Sequence, residues 1–318
     1  MTGLTDTVRR FREGRDAVPP FFDGATEGPL AVGREIFENP RTIELPDGRD
    51  LGYAEAGDPD GEPGLLFHGW PNCRTFAAAF DAIGRERGLR IIAPERPGFG
   101  ISDPDPGRRL TDWPADVTAL MDHLGIESAP VLGVSGGGPY ALACASEIPE
   151  RTPRVAVGCG VGPMQAVSPA ARGPFTVARY APGVIRAYLR AEELAERYAP
   201  EKLIERRAAT AAEYDADYWR SEAGELLIAT AVAARQGHGN EHLVTDLHLY
   251  ATDWGFDLGT IDVPVGLWYG RADRLVPVDA GRYLERHVPT AEAHFYPDYG
   301  HVSVVQENKP AIVDWLRR

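Results

Sequence analysis

The residues with the clearest chemical purpose lie at 131–145, Val-Leu-Gly-Val-Ser-Gly-Gly-Gly-Pro-Tyr-Ala-Leu-Ala-Cys-Ala. A serine hydroxyl is a weak nucleophile at neutral pH and attacks only where its surroundings activate it. Here Ser135 follows an apolar run, Val131 to Val134, that reads as a buried strand. A helix of small residues follows, with Pro139 in its first turn, where a missing N–H costs nothing. Between them Gly133-Val134-Ser135-Gly136-Gly137 fits a G-x-S-x-G elbow, a sharp strand-to-helix turn that pushes the hydroxyl out at the carboxyl edge of a sheet. The glycines let neighbouring backbone pass without a Cβ clash.

Such a serine needs a base to take its proton and an acid to orient that base. Asp273 ends the segment Trp268-Tyr269-Gly270-Arg271-Ala272-Asp273, just past an apolar strand. His301 lies in Tyr296-Pro297-Asp298-Tyr299-Gly300-His301-Val302-Ser303, just past the next strand. Parallel strands present their carboxyl ends at one edge, so both side chains are expected beside Ser135. The chain order Ser, Asp, His is the one that accompanies this elbow. Asp298 is the substitute acid, although its place three residues before His301 suits a turn. For a developing oxyanion, the Gly136 N–H is one donor. The other is expected from the loop His68-Gly69-Trp70-Pro71, and because Pro71 has no N–H, Trp70 is nominated. Each donor of this kind is worth about 3–4 kcal/mol in the transition state.

The elements that must position these groups alternate along the chain. Thr42–Leu45 and Leu51–Ala56 read as strands across a Pro46-Asp47-Gly48 turn, after an irregular N-terminal stretch. Gly64–His68, Arg90–Pro94, residues 130–134 and Val155–Gly158 read as further strands. Helices are expected over Arg74–Arg87, from an N-cap at Thr111 or Asp112 to Gly125, and from Gly137 to Ile148. Between 162 and 257 helical spacing replaces the alternation (Val184, Ile185, Tyr188, Leu189, Leu194, Tyr198, then Leu226, Leu227, Ile228). Strand Val263–Tyr269, helix Asp279–His287, strand Ala293–Tyr296 and a last helix from Lys309 or Pro310 to Arg318 complete the chain. The fold class is therefore α/β, a mostly parallel sheet with helices on both faces. Its expected organisation is an N-terminal extension at 1–38, a core at 39–161 and 258–318, and a helical cap at 162–257 whose residues bind substrate.

Composition narrows the classes of function. The 318 residues suffice for a large core, and 43% hydrophobic with 25% charged content is ordinary for a globular protein. No apolar run approaches the ~18 residues of a membrane span. Arg9, Arg10, Arg12 and Arg15 have no apolar stretch behind them, so no secretory signal is read and a cytoplasmic location is expected. A net charge of −14 argues against nucleic acid or an anionic membrane as partner. A small-molecule substrate remains, with a homo-oligomer compatible with the sequence. Cys73, Cys144 and Cys159 show no metal-ligand spacing and read as inert thiols in a reducing compartment.

Five motifs in order, His68-Gly69-Trp70-Pro71, Glu95-Arg96-Pro97-Gly98-Phe99-Gly100-Ile101-Ser102-Asp103, Gly133-Val134-Ser135-Gly136-Gly137, Gly270-Arg271-Ala272-Asp273 and Gly300-His301, resemble the α/β-hydrolase fold superfamily. The likeness covers about residues 40 to 318 and is nearest to its serine-nucleophile esterase and haloperoxidase-like branch. It implies an eight-stranded sheet, a cap inserted after the sixth strand, and no cofactor. The reaction it implies is carboxylesterase-like hydrolysis of small or medium hydrophobic acyl esters through an acyl-enzyme. A serine at 135 sets aside the aspartate-nucleophile dehalogenases and epoxide hydrolases of this fold. Lactone hydrolysis, C–C bond hydrolysis and cofactor-free perhydrolysis with the same triad stay open. So does a different class, a ligand-binding receptor or non-hydrolytic biosynthetic enzyme that retains the fold.

Other residues have blander readings. His68 is expected to shape its loop by hydrogen bonds, and Glu95, Arg96 and Asp103 to pin a loop near the pocket. His238, His242 and His248 lie within eleven residues but lack the pattern of a metal site, so none is assigned. Phe175, Tyr180, Tyr188, Tyr198, Tyr214, Tyr218 and Trp219 are expected chiefly as the core of the cap, with an acyl pocket as the alternative.

Overall fold

Successive side chains of a strand point to opposite faces, so the apolar runs, buried on both sides, must feed two separate cores. The computed structural model, which describes residues 17–167 and 172–318 without the side chains at 174, 175, 178 and 179, bears this out. The four N-terminal arginines and the Phe175 side chain lie outside the described residues. In β3 (Glu62–Phe67) Leu66 faces one core while Leu65 and Phe67 face the other. In β7 (Val265–Gly270) Trp268 faces the first core, and Val265, Leu267 and Tyr269 the second.

The described residues form one eight-stranded sheet, in the order β1-β2-β4-β3-β5-β6-β7-β8. Its remaining strands are β1 (Arg41–Glu44), β2 (Asp50–Gly57), β4 (Leu89–Pro94), β5 (Val131–Val134), β6 (Val155–Gly158) and β8 (Ala291–Tyr296). β2 pairs antiparallel with both β1 and β4, and every other pairing is parallel. The carboxyl ends of β3, β5, β6, β7 and β8 thus open at one edge, and five loops carrying the candidate residues meet there.

Helix α1 (Gly28–Glu38) and a 3-10 segment at Arg74–Phe80 leading into α2 (Asp81–Arg87) precede α3 (Trp113–His123) and α4 (Gly138–Glu147). Six helices stand between β6 and β7 among the described residues: α5 (Gly173–Tyr180), α6 (Pro182–Tyr198), α7 (Pro200–Thr210), α8 (Glu213–Trp219), α9 (Glu222–Ala233) and α10 (Glu241–Tyr250). The last two are α11 (Asp279–His287) and α12 (His301–Leu316). No helix among the described residues is long and apolar enough to cross a membrane.

Three expectations need correction. The N-terminal stretch is not irregular throughout, because α1 carries Pro29 in its first turn and buries Gly33, Ile36 and Phe37, an i, i+3, i+4 stripe, against α9 and the 3-10 segment. The final helix begins at His301 rather than at Lys309 or Pro310, and Pro310 lies inside it. Proline is favoured in a first turn, so its type alone marks a helix start. Asp112 does precede α3, but its carboxylate turns back to the Arg109 N–H at 2.7 Å instead of capping the helix.

Candidate active site

The elbow is a strained turn. Ser135 has φ +52°, a left-handed conformation that costs a non-glycine residue about 1–3 kcal/mol. The turn is over-determined by its neighbours. A Cβ on Gly137 would run into the Phe67 carbonyl of β3, and Val161 donates its N–H to the Ser135 carbonyl at 3.1 Å. Ser135 is left in the lining of a cavity.

Asp273 and His301 meet it there. The Asp273 Oδ1 accepts the N–H groups of Leu275 (2.7 Å) and Val276 (2.9 Å), which fixes the carboxylate in its own turn. Its Oδ2 lies 2.7 Å from His301 Nδ1, and His301 Nε2 lies 3.0 Å from Ser135 Oγ. A carboxylate can only accept, so Nδ1 carries a proton, and in the neutral ring the Nε2 lone pair faces the serine. Burial alone would push the His301 pKa down, but the Asp273 carboxylate outweighs it and holds the pKa well above the ordinary 6.5. Asp298 is exposed and takes no part.

The loop after β3 runs beside the elbow. A Cβ on Gly136 would sit 3.1 Å from the Trp70 nitrogen. Neither the Trp70 nor the Gly136 N–H is spent on a hydrogen bond among the described residues. His68, fully buried, is neutral, since burial pushes its pKa well below the ordinary 6.5. The Arg96 N–H approaches its Nε2 at 3.4 Å, so Nδ1 is the protonated nitrogen and donates to the Gly69 carbonyl at 2.9 Å. That carbonyl belongs to the same peptide as the Trp70 N–H. Arg96 grips the same loop, from Nη1 to the His68 carbonyl at 2.6 Å and from Nη2 to the Gly69 carbonyl at 3.4 Å. Glu95 takes Arg74 and the Ile101 N–H, and Asp103 takes the Asp50 N–H, so both do pin loops.

Several important residues had no local signal. Asp246 of α10, fully buried, accepts from Arg96 Nε at 2.9 Å, from Arg108, from the Tyr140 hydroxyl at 2.6 Å and from that of Tyr250 at 2.8 Å. The two guanidiniums outweigh its burial and hold its carboxyl below the usual carboxylate range. Tyr250 Oη also lies 2.9 Å from the Gly136 carbonyl. Trp70 Nε1 donates to the Leu243 carbonyl of α10 at 3.1 Å, and Asn72 to that of Leu227 at 3.1 Å. Cys159, φ +45°, places Sγ 3.8 Å from His301 Nε2, with burial raising its pKa so that it stays a thiol.

A cavity of about 740 Å³ and a second of about 1070 Å³, both open to solvent, share Trp70, Ser135, His301, Glu196, Arg207 and Leu275 in their linings. Phe76, Val134, Trp219, Leu227 and Ile228 line the first, and Val161, Leu189 and Leu247 the second. The expected aromatic core of the insertion is corrected here. Tyr180, Tyr188, Tyr198 and Tyr214 are exposed, Tyr218 is half-buried and Trp219 is buried. Instead α6 buries Glu192, Glu193 and Glu196, which bind Arg206 and Arg207, Asn240, and Arg235 respectively. Of the three clustered histidines only His242 is buried, against the Phe99 ring at 4.2 Å, while His238 and His248 are exposed.

Residues 65–315 match the model of the alpha/beta hydrolase family. A non-heme chloroperoxidase of Streptomyces lividans is 29% identical over 243 residues, 74% of this chain and 83% of its own. A 2-hydroxy-6-oxononadienedioate/2-hydroxy-6-oxononatrienedioate hydrolase of Cupriavidus pinatubonensis is 30% identical over 260 residues, 78% of this chain and 82% of its own. Among solved structures, an esterase from Exiguobacterium antarcticum superposes with a TM-score of 0.59 at 16% identity, over 87% of this chain and 99% of that one.

Two measurements check the electrostatics. Followed by NMR, the His301 imidazole titrates well above pH 6.5, and Asp273→Asn lowers that pKa by removing the charge that raises it; an unmoved pKa contradicts the pairing. Asp246→Ala leaves two buried guanidiniums without their carboxylate and costs about 3–5 kcal/mol in denaturant unfolding. A loss below about 1 kcal/mol, the value of an exposed pair, would show that the cluster is not what joins α10 to the sheet.

Proposed function

The chain belongs to the alpha/beta hydrolase family, and from that premise we propose that it is a serine hydrolase of carboxylesterase type. The observation that carries this reading is the single imidazole of His301, 2.7 Å from Asp273 and 3.0 Å from Ser135, in the lining of a largely apolar cavity. Ser135 Oγ attacks the acyl carbon while His301 Nε2 takes its proton, and Asp273 steadies the imidazolium that forms. The Trp70 and Gly136 N–H groups receive the oxyanion. Collapse breaks the ester C–O bond, and the leaving alkoxide takes the proton from His301. Water then gives a proton to the same nitrogen and attacks the acyl-enzyme, and Ser135 Oγ leaves taking that proton back, which releases the acid and free Ser135. Every proton and electron pair is carried by these side chains, the ester and water.

The apolar lining supports esters of small or medium hydrophobic acids. The helical insertion acts in this reading as the cap that supplies much of that lining. Its buried acids speak against an aminopeptidase, because Glu192 and Glu196 are already engaged by arginines.

A series of p-nitrophenyl esters of graded acyl length tests the proposal. Hydrolysis is expected to be best with short to medium chains, and kcat/KM to rise with pH as His301 loses its proton. Ser135→Ala should lower kcat by about 10⁵–10⁶-fold. Wild-type rates in that variant, or no turnover at any chain length, would overturn the reading.

A further inference from the structure

The base of the site is held by a residue far from the sheet. Asp215, on α8, is 4% exposed, and both of its oxygens are spent on the first turn of α12. Oδ2 accepts the N–H of His301 at 2.6 Å and that of Val302 at 3.1 Å. Oδ1 accepts the N–H of Ser303 at 2.8 Å and its hydroxyl at 2.6 Å. Ser303 Oγ in turn accepts the Gly300 N–H at 2.8 Å.

A helix leaves its first N–H groups without partners, and a side chain at the N-cap position normally takes one of them. Here the N-cap residue is Gly300, which has no side chain to offer. A Cβ at that position would overlap the Asp215 carboxylate. The glycine therefore clears the space through which a carboxylate 86 residues earlier reaches the helix start. A negative charge at this end of a helix is also favoured by the alignment of the peptide dipoles. Tyr214, beside Asp215, packs edge-on against Tyr299, beside Gly300, at 5.6 Å between ring centroids. The contact is thus a built joint between α8 and the chain entering α12.

His301 is the first residue of that helix, so whatever fixes its N–H fixes the root of the imidazole. The ring must reach two partners at once, and a misplacement of about 1 Å can cost on the order of 10²-fold in rate. We propose that Asp215 is a positioning residue for His301: the helical insertion holds the base by its backbone, and the imidazole spans Ser135 and Asp273 only while α8 is seated on α12. This rests on the serine-hydrolase reading above. It makes the insertion part of the catalytic apparatus as well as part of the cavity wall.

The test compares wild type, Ser135→Ala, Asp215→Ala, Asp215→Asn and Ser303→Ala in ester hydrolysis and in labelling of Ser135 by a fluorophosphonate probe. Rates are taken per folded molecule, with the folded fraction read from thermal unfolding. Asp215→Ala is expected to lower kcat and the labelling rate together by about 10–100-fold, with KM changed by no more than about threefold, because substrate binding is untouched. Asp215→Asn, which keeps one accepting oxygen, should fall between Asp215→Ala and wild type, and Ser303→Ala, which removes one of the four contacts, should lose less. Wild-type kcat and labelling in folded Asp215→Ala, with only the melting temperature lowered, would overturn the proposal. Should Asp215→Ala not fold, wild-type rates in both Asp215→Asn and Ser303→Ala would overturn it. Failure of the underlying reading looks different, since wild type would then label no faster than Ser135→Ala.

Discussion

The geometry of the site is set by one backbone constraint, the left-handed conformation of Ser135. A non-glycine residue does not adopt φ +52° unless its surroundings enforce it. The enforcing contacts are close approaches of backbone to backbone: Gly137 against the Phe67 carbonyl, and the Val161 N–H on the Ser135 carbonyl. They come from β3 and from the chain after β6, the strands on either side of β5. The sheet register therefore aims the serine, and the parallel direction of the strands brings the other loops to it. A shift of β5 by one residue would turn the elbow away from Asp273 and His301 altogether.

Around that turn, charge is buried in pairs or clusters. Asp246 joins α10 to the loop after β4 through Arg96 and Arg108. Glu196 meets Arg235 inside the insertion, and Arg74 meets Glu95 in the core. Replacing buried pairs by apolar groups is often neutral for stability, whereas removing one member is costly. What these pairs provide is direction. Arg96 reaches the Gly69 carbonyl while anchored by Asp246, and Tyr250 reaches the Gly136 carbonyl from the same carboxylate. Both proposed oxyanion donors are thereby tied to residues of the helical insertion.

The strands, the elbow and the positions of Asp273 and His301 were legible because each leaves a local mark. Apolar runs of four to six residues and glycines at fixed offsets mark the carboxyl ends of strands whatever the rest of the chain does. What escaped was non-local. Asp215 and His301 are 86 residues apart, Asp246 and Arg96 150. A carboxylate destined for burial looks like any surface acid until its partners are known. α6 shows the difficulty most clearly. Its tyrosines at helical spacing suggested a core face, yet Tyr188 and Tyr198 are exposed and Glu192, Glu193 and Glu196 are inside. Arginines on α7 and just after α9 stabilise Glu192 and Glu196, and no window along α6 contains them. Pro310 misled for a different reason, since a favourable start signal occurs inside a helix that tertiary contacts at both ends hold together.

The central claim is that Ser135 carries the acyl group during turnover. Acid quenching of the enzyme during steady-state hydrolysis of a slow ester, followed by mass spectrometry of its peptides, tests this most directly. The account predicts the mass of the acyl group on the peptide containing Ser135, and its absence in Ser135→Ala. An unmodified Ser135 peptide, with the acyl group found on another residue in enzyme that is turning over, would contradict it.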